Sequence, residues 1–498
     1  DGKAVLKSTS QMATDRALIK SAIKLVETQE MAPERAIWEA ATSFADQMAA
    51  LGGYMAERVT DIHDVRARIV AELTGQQAPG IPVSDEPFIL AAIDLAPADT
   101  ATLDPEKVIA LITSDGGPQA HTAILARGLG LPAIVAAKGV TDIADGTVVY
   151  VDSNEGIVDT EPTDADREAA IKYANRKPVA DFDGKGVLAD GTRVELYANV
   201  GDGKSAEKAA SLKAEGVGLL RTEFGFLGHD AEPSIETQAK TYKSVFDAFP
   251  GKHIVVRTLD AGADKPLPFL NVNPEENPAL GVRGFRTDWT VPGVLTRQLQ
   301  AIKAASEDSD ADIWVMAPMI STTSEARNFA NMLKEIGLPV HGVMVETPAA
   351  VMNAEAILGE VDFVSIGTND LTQYTMAADR LLGDLAHLNN PWQPAVLKMI
   401  KMTVEGAQRA SVTAGKKKYV SVCGEAAADP ALAVVLIGLG VDTLSMNAGA
   451  IPAVAAVLKS VTKEKAQQIA AIALQQISSA EAKESARKAL PILDELGL

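Results

Sequence analysis

Between residues 194 and 447 the chain returns again and again to one pattern: a short run of Val, Ile and Leu, then a longer stretch with helical spacing. The runs are VELYAN (194–199), VGLLR (217–221), IVVRT (254–258), IWVMAP (313–318), GVMVE (342–346), FVSIG (363–367), YVSVC (419–423) and TLSMN (443–447). Nearly continuous apolar runs suit strands covered on both faces, and strands that alternate with helices pair in parallel. Eight of them predict a (β/α)8 TIM barrel over 186–498. Such a barrel performs its chemistry at the C-terminal ends of its strands. Arg221, Arg257, Glu346, Asn369, Asp370 and Cys423 stand at or just past those ends.

The remainder divides by texture, giving an α/β multidomain chain. Residues 1–76 read as a helical subdomain, with apolar positions recurring through ALIKSAIKLV, RAIWEAATSFADQMAALGGYM and VRARIVAEL. A Gly/Pro linker, GQQAPGIPVSDEP, leads into 77–160. There the runs FILAAI, VIALIT, AIVAA and TVVYVD, with the helix HTAILARGL among them, predict a small α/β domain. Residues 161–185 read as a helical linker around TDADREAAIKYANR.

Bulk properties narrow the function. The formal charge of −20 and the lack of a basic run argue against nucleic acid as a partner. The single cysteine, Cys423, cannot form an internal disulfide, which fits a reducing compartment. The apolar run ALAVVLIGLGV (431–441) is too short to span a bilayer, and the first residues do not read as a signal peptide. A cytoplasmic protein without membrane insertion is the expectation.

The segment GGPQAHTAILARGLGLPAIV (116–135) places His121 after a glycine pair and at the start of a helix. Free backbone N–H groups and the helix dipole favour phosphate there, and neutral imidazole can accept a phosphoryl group. A lone histidine is ordinarily a surface or core residue. The whole segment, however, resembles the phosphohistidine signature shared by Enzyme I of the bacterial sugar phosphotransferase system, phosphoenolpyruvate synthase and pyruvate phosphate dikinase. Thr100, in PADTATL, matches a threonine near that histidine in the same families. His63, His229, His253, His341 and His387 lack such a context and read as structural or surface residues.

The barrel half offers a matching set. Arg221, Arg257, Arg283 and Arg380 can present bidentate forks to phosphate and carboxylate groups. Glu346 and Asp370 suit Mg²⁺, which takes one or two protein carboxylates plus substrate oxygens and water. Cys423 reads either as an inert core thiol or as a proton donor to an enolate carbon. Its place at a strand end favours the second.

The motifs RTEFGFL, VVRTLDAGADKPLP, EENPALGVRGFR, VETPAAV, SIGTNDLTQYTMAADR and VCGEAAADP follow the order and spacing of bacterial Enzyme I, and the resemblance covers about 60 to 498. It implies a swivelling phosphohistidine domain beside the barrel. It implies that Arg221, Arg257, Asn369, Asp370 and Arg380 bind phosphoenolpyruvate, that Glu346 and Asp370 bind Mg²⁺, that Cys423 donates the proton and that His121 carries the phosphoryl group. It further implies delivery to the phosphocarrier HPr, docked on the helical subdomain, as the first step of sugar uptake, and a homodimer formed through the barrel. By comparison with that family roughly seventy residues are missing ahead of Asp1, so the helical subdomain is expected to be incomplete. RLLGDL follows Arg380 where the family has Arg-Gly-Asn, and Ser421 stands where Gly is common. GDGKS (201–205) fails the phosphate-loop pattern and reads as a turn. Two alternatives stay open: an enzyme like phosphoenolpyruvate synthase or pyruvate phosphate dikinase, and a non-catalytic, phosphorylation-dependent regulator.

Overall fold

The computed structural model describes residues 12–51, 59–76, 80–82, 84–95, 99, 103–104, 106–115, 122, 126, 131–153, 156–174, 179–261, 267–270, 275–380 and 382–498. They form two compact units, 1–174 and 175–498.

Among its described residues the first unit has the helices Arg16–Gln29, Pro33–Leu51 and Val59–Thr74 ahead of its sheet. Asp15 starts the first of them by accepting the N–H groups of Ala17 and Leu18 on its side chain. Leu18, Ile37, Ala41, Ala45 and Ile62 make the shared core. Strands β1 (Phe88–Ala92), β2 (Val108–Thr113) and β3 (Ala133–Ile134) then form a parallel sheet in that order. Strands β4 (Tyr150–Asp152) and β5 (Ile157–Asp159) pair as a hairpin. The small sheet has its own core of Leu90, Leu111, Ala126 and Leu131. The expected helix HTAILARGL lies largely outside the described residues; Thr122 and Ala126 within it are helical and buried. The Thr122 hydroxyl donates to Asp94 Oδ1 at 2.9 Å.

The second unit is the barrel. Strands β6 (Glu195–Val200), β7 (Gly216–Arg221), β8 (His253–Arg257), β9 (Asp312–Ala317), β10 (His341–Val345), β11 (Phe363–Ile366), β12 (Tyr419–Val422) and β13 (Thr443–Met446) are parallel. β13 closes onto β6. All eight expected strands are present. Alternation along each strand sends Ala198, Val343, Val345, Val364, Ile366, Val420, Val422 and Leu444 outward into the large core under the helices.

The inward faces divide by chemistry. Leu219 of β7, Val255 of β8, Met316 of β9 and Met344 of β10 make an apolar half-wall. The next four strands around the ring present Ser365, Ser421, Ser445 and Asn199 instead. Near the N-terminal strand ends an aromatic tier fills the interior. Trp314 and Phe363 pack with ring centroids 4.9 Å apart, and His253 meets Trp314 edge-on at 4.3 Å.

The helix Pro430–Gly438 carries the apolar run noted in the sequence and is buried from Ala431 to Ile437. It packs against the helix Lys463–Leu474. A Cβ on Gly438 would stand 2.1 Å from the Ala466 carbonyl oxygen, so only glycine permits that approach. Among the described residues no helix is long and apolar enough to cross a membrane.

Candidate active site

Several strand ends, with the loops that follow them, contribute charged groups, and the groups meet. Arg257 closes β8 and is buried. Its Nη2 donates to Glu223 Oε1 at 2.9 Å, and Nη1 lies 3.4 Å from Asp260 Oδ2. Its backbone is fixed from behind by a polar relay. Thr222 Oγ1 donates to the Arg257 carbonyl at 2.9 Å, and Gln298 Nε2 donates to Thr222 Oγ1 at 3.0 Å. Gln298 Oε1 accepts the Leu259 N–H at 2.8 Å.

Arg283 joins the two sides of the mouth. Its Nε and Nη2 grip Asp260 bidentately at 3.1 and 2.8 Å. Its Nη1 and Nη2 donate to Asp370 at 2.9 and 3.3 Å. Arg380 Nη1 approaches Asp370 Oδ2 at 3.5 Å. Glu346, 1% exposed, accepts the Met319 N–H on Oε1 at 2.6 Å. Met319 adopts a left-handed backbone at φ 59° to aim that donor. Gly284, at φ +58°, makes room for it, since a Cβ there would lie 2.9 Å from Met319 Cβ.

Charge and burial compete in this cluster. Burial opposes the Arg257 and Arg283 charges, yet Glu223, Asp260 and Asp370 hold both guanidinium pKa values above their usual range. Burial would also raise Asp260, but Arg283 and Arg257 outweigh it and set the carboxyl at about 2. Glu346 goes the other way. Burial, with Asp370 and Asp260 nearby, pushes it up to about 8.

A raised carboxyl contributes stability that is complete below its ordinary pKa of 4.5 and lost as pH rises through about 8. Without divalent cations, Glu346→Gln is therefore expected to match its parent's thermal midpoint at pH 5 and to exceed it above pH 8. Parallel melting curves across that range would show that Glu346 is ionised throughout.

Cys423 lies just past β12, 2% exposed, in the cluster with Leu219, Met316 and Met344. Its thiol is directed at the Ile366 carbonyl 3.7 Å away. Burial pushes its pKa up, while Ser365, Arg257 and Arg221 pull against that. Asn369 turns aside: its Oδ1 accepts the Glu425 N–H at 3.4 Å, tying together the loops after β11 and β12. Arg221 is half-buried at the end of β7, beside Arg257 in the ladder, and its guanidinium makes no ion pair or hydrogen bond among the described residues. The barrel thus gathers Arg257, Arg283, Arg380, Glu346 and Asp370 into one cluster, with Cys423 and Arg221 within reach of its field. His121 and Thr100 lie outside the described residues.

Sequence reading passed over Glu223 and Asp260. Both sit in motifs already singled out, RTEF and RTLDAG, just after an arginine. A buried arginine needs a carboxylate, and that requirement was the available signal.

A parallel barrel whose mouth collects buried arginines and carboxylates is that of an enzyme gripping a small, multiply charged anion. Comparison with known proteins makes the class specific. Residues 180–463 match the family profile described as PEP-utilising enzyme, PEP-binding domain. Residues 84–156 match its mobile domain, and 1–58 its N-terminal domain. A phosphoenolpyruvate-protein phosphotransferase of Streptomyces coelicolor is 46% identical over 494 residues, 98% of this chain and 88% of that one. One of Haloferax volcanii is 39% identical over 466 residues, covering 91% and 81%. One of Staphylococcus carnosus is 37% identical over 452 residues, covering 86% and 77%. The chain belongs to the PEP-utilising enzymes, among the phosphoenolpyruvate-protein phosphotransferases.

Proposed function

We propose that the chain takes the phosphoryl group of phosphoenolpyruvate onto His121, releases pyruvate, and passes the group to the phosphocarrier HPr as the entry step of sugar uptake. One observation supports this above the others. Cationic forks and carboxylates converge at the barrel mouth directly beside a buried thiol, which is the equipment needed to hold an enol phosphate and protonate its carbon.

Arg221, Arg257 and Arg380 bind the phosphate and carboxylate of the substrate. Asn369 and Asp370 line the same ligand, and Arg283 shares the donors that now hold Asp260 and Asp370. Mg²⁺ fits these residues. Glu346 is driven towards its protonated form by burial and then by the negative charge of Asp370 and Asp260, and a divalent ion would relieve the latter. Among the described residues no three such ligands converge closely enough to hold an ion alone, as suits a metal that borrows substrate oxygens. Glu346 and Asp370 would hold it, and when bound it neutralises charge on the phosphate.

His121 attacks phosphorus in line with the departing enolate oxygen, and Cys423 protonates the enolate carbon. One histidine serving two partners requires its domain to move between them. The working division is a carrier-docking helical subdomain at 1–76, a swivelling phosphohistidine domain at 77–160, a linker at 161–185 and the barrel at 186–498. The reading includes a cytoplasmic homodimer joined through the barrel.

Labelling with phosphoenolpyruvate carrying radioactive phosphate, then mapping the acid-labile site, tests the assignment. His121 should carry the label; label at any other residue would overturn it. Cys423→Ala should slow pyruvate formation far more than phosphoryl exchange between the phosphoenzyme and HPr. Equal loss in both steps would remove Cys423 from the protonation role.

A further inference from the structure

Half of the barrel lining is polar, where barrels of this kind are ordinarily packed with branched apolar side chains. Two of its members, Ser445 and Asn199, are tied to one residue. Ser445 Oγ donates to Asn199 Oδ1 at 2.6 Å, and Asn199 Nδ2 donates to the Cys423 carbonyl at 2.8 Å. The Cys423 N–H donates to the Ile366 carbonyl at 3.2 Å. The backbone of Cys423 is therefore held from the adjacent strand β11 on one side and, past β13, from β6 on the other.

Ser365 is the odd member. It is fully buried on the inward face of β11, and its hydroxyl has no hydrogen-bond partner of proper geometry. Ser365 immediately precedes Ile366, whose carbonyl receives both the Cys423 N–H at 3.2 Å and the thiol at 3.7 Å, and it pairs in register with Ser421. The hydroxyl and the sulfur thus belong to the same stretch of inner wall, and there the hydroxyl favours the thiol's ionised form. The thiol itself faces the Ile366 carbonyl. A buried hydroxyl left without a partner is a cost to the fold and calls for a state in which it is used.

We propose that Ser365 is a positioning residue for protonation: its hydroxyl turns to the Cys423 sulfur once the thiol has given its proton to the enolate, while Asn199 and Ser445 fix the backbone beneath. This rests on the reading of Cys423 as the proton donor. The phosphorus–oxygen bond breaks and leaves the enolate of pyruvate. The new C–H bond forms at its methylene carbon as the S–H bond breaks, and the electron pair stays on sulfur. The resulting thiolate, enclosed and desolvated, accepts the Ser365 O–H. A proton from water restores the thiol after pyruvate departs.

The test is single-turnover pyruvate formation by the full chain with Mg²⁺. Ser365→Ala should lower that rate roughly 10- to 100-fold, the usual loss for a hydrogen bond to a charged group. Its thermal midpoint should stay level or rise, because an orphan hydroxyl has been removed. The alkaline limb of the rate should move to higher pH, and phosphoryl exchange with HPr should not change. Asn199→Ala, which acts on the backbone, should lower the rate without moving that limb. Adding Ser365→Ala to Cys423→Ala should cause no further loss. A parental rate in Ser365→Ala, or full additivity in the double variant, overturns the proposal. A parental rate in Cys423→Ala overturns the reading beneath it as well, so the two failures are told apart.

Discussion

An Arg283→Met protein will melt well below its parent and form no measurable pyruvate. Arg283 is 4% exposed and satisfies both Asp260 and Asp370. Methionine roughly keeps the volume but leaves two buried carboxylates without that partner. Breaking a buried ion pair in this way costs about 3–5 kcal/mol, against the small net worth of an exposed pair. In a domain of this size the loss corresponds to a thermal midpoint lower by roughly 5–10 °C. The deficit should depend on pH. Asp260 titrates at about 2, below its ordinary 3.8. Its contribution is present above 3.8 and lost as pH falls through about 2, so the gap between the two proteins should narrow in acid. Calorimetry of both proteins from pH 7 down to the acid limit measures this. A variant that melts with its parent at pH 7 would show that Arg257 and Arg380 carry Asp260 and Asp370 without it.

His121→Ala should abolish both half-reactions while leaving the barrel's melting transition in place. Loss of an enzyme's nucleophile lowers the rate by roughly 10⁴- to 10⁶-fold. On the proposed reading the same atom receives and donates the phosphoryl group, so no partial activity should survive with either substrate. Radiolabel transfer from phosphoenolpyruvate, and back from phosphorylated HPr, reads the two steps separately. Retained transfer in either direction would place the acceptor elsewhere.

Much of the barrel was legible because its signal is local. GVMVE and FVSIG each announce a buried strand without reference to any other part of the chain. The residue just beyond such a strand is exposed to the mouth by the geometry of the fold itself, which is why Arg257, Glu346 and Cys423 could be picked out. Pairings were harder. Arg283 lies in neither of the segments it bridges, the loop after β8 and the helix Thr368–Met376, and its grip on Asp260 and Asp370 spans 23 and 87 residues. Nothing in the sequence orders four arginines among four carboxylates. Ser365 and Asn199 were invisible for another reason. A small polar residue inside an apolar run looks like an ordinary interruption until ring closure sets it beside its neighbours. The helix around His121 was expected from spacing, and it lies mostly outside the described residues.

The aromatic tier has a bearing on where isotopes go. Trp314 and Phe363 pack across the far end of the barrel, opposite the end where the charged cluster lies. The open end is therefore the natural route for both solvent and substrate. On the proposed reading, hydrogen reaching the new methyl group comes from the Cys423 thiol, which is replenished from solvent between turnovers. A brief pulse of turnover begun in heavy water with enzyme equilibrated in light water should accordingly yield first-cycle pyruvate that carries protium, with deuterium appearing from the second cycle onward.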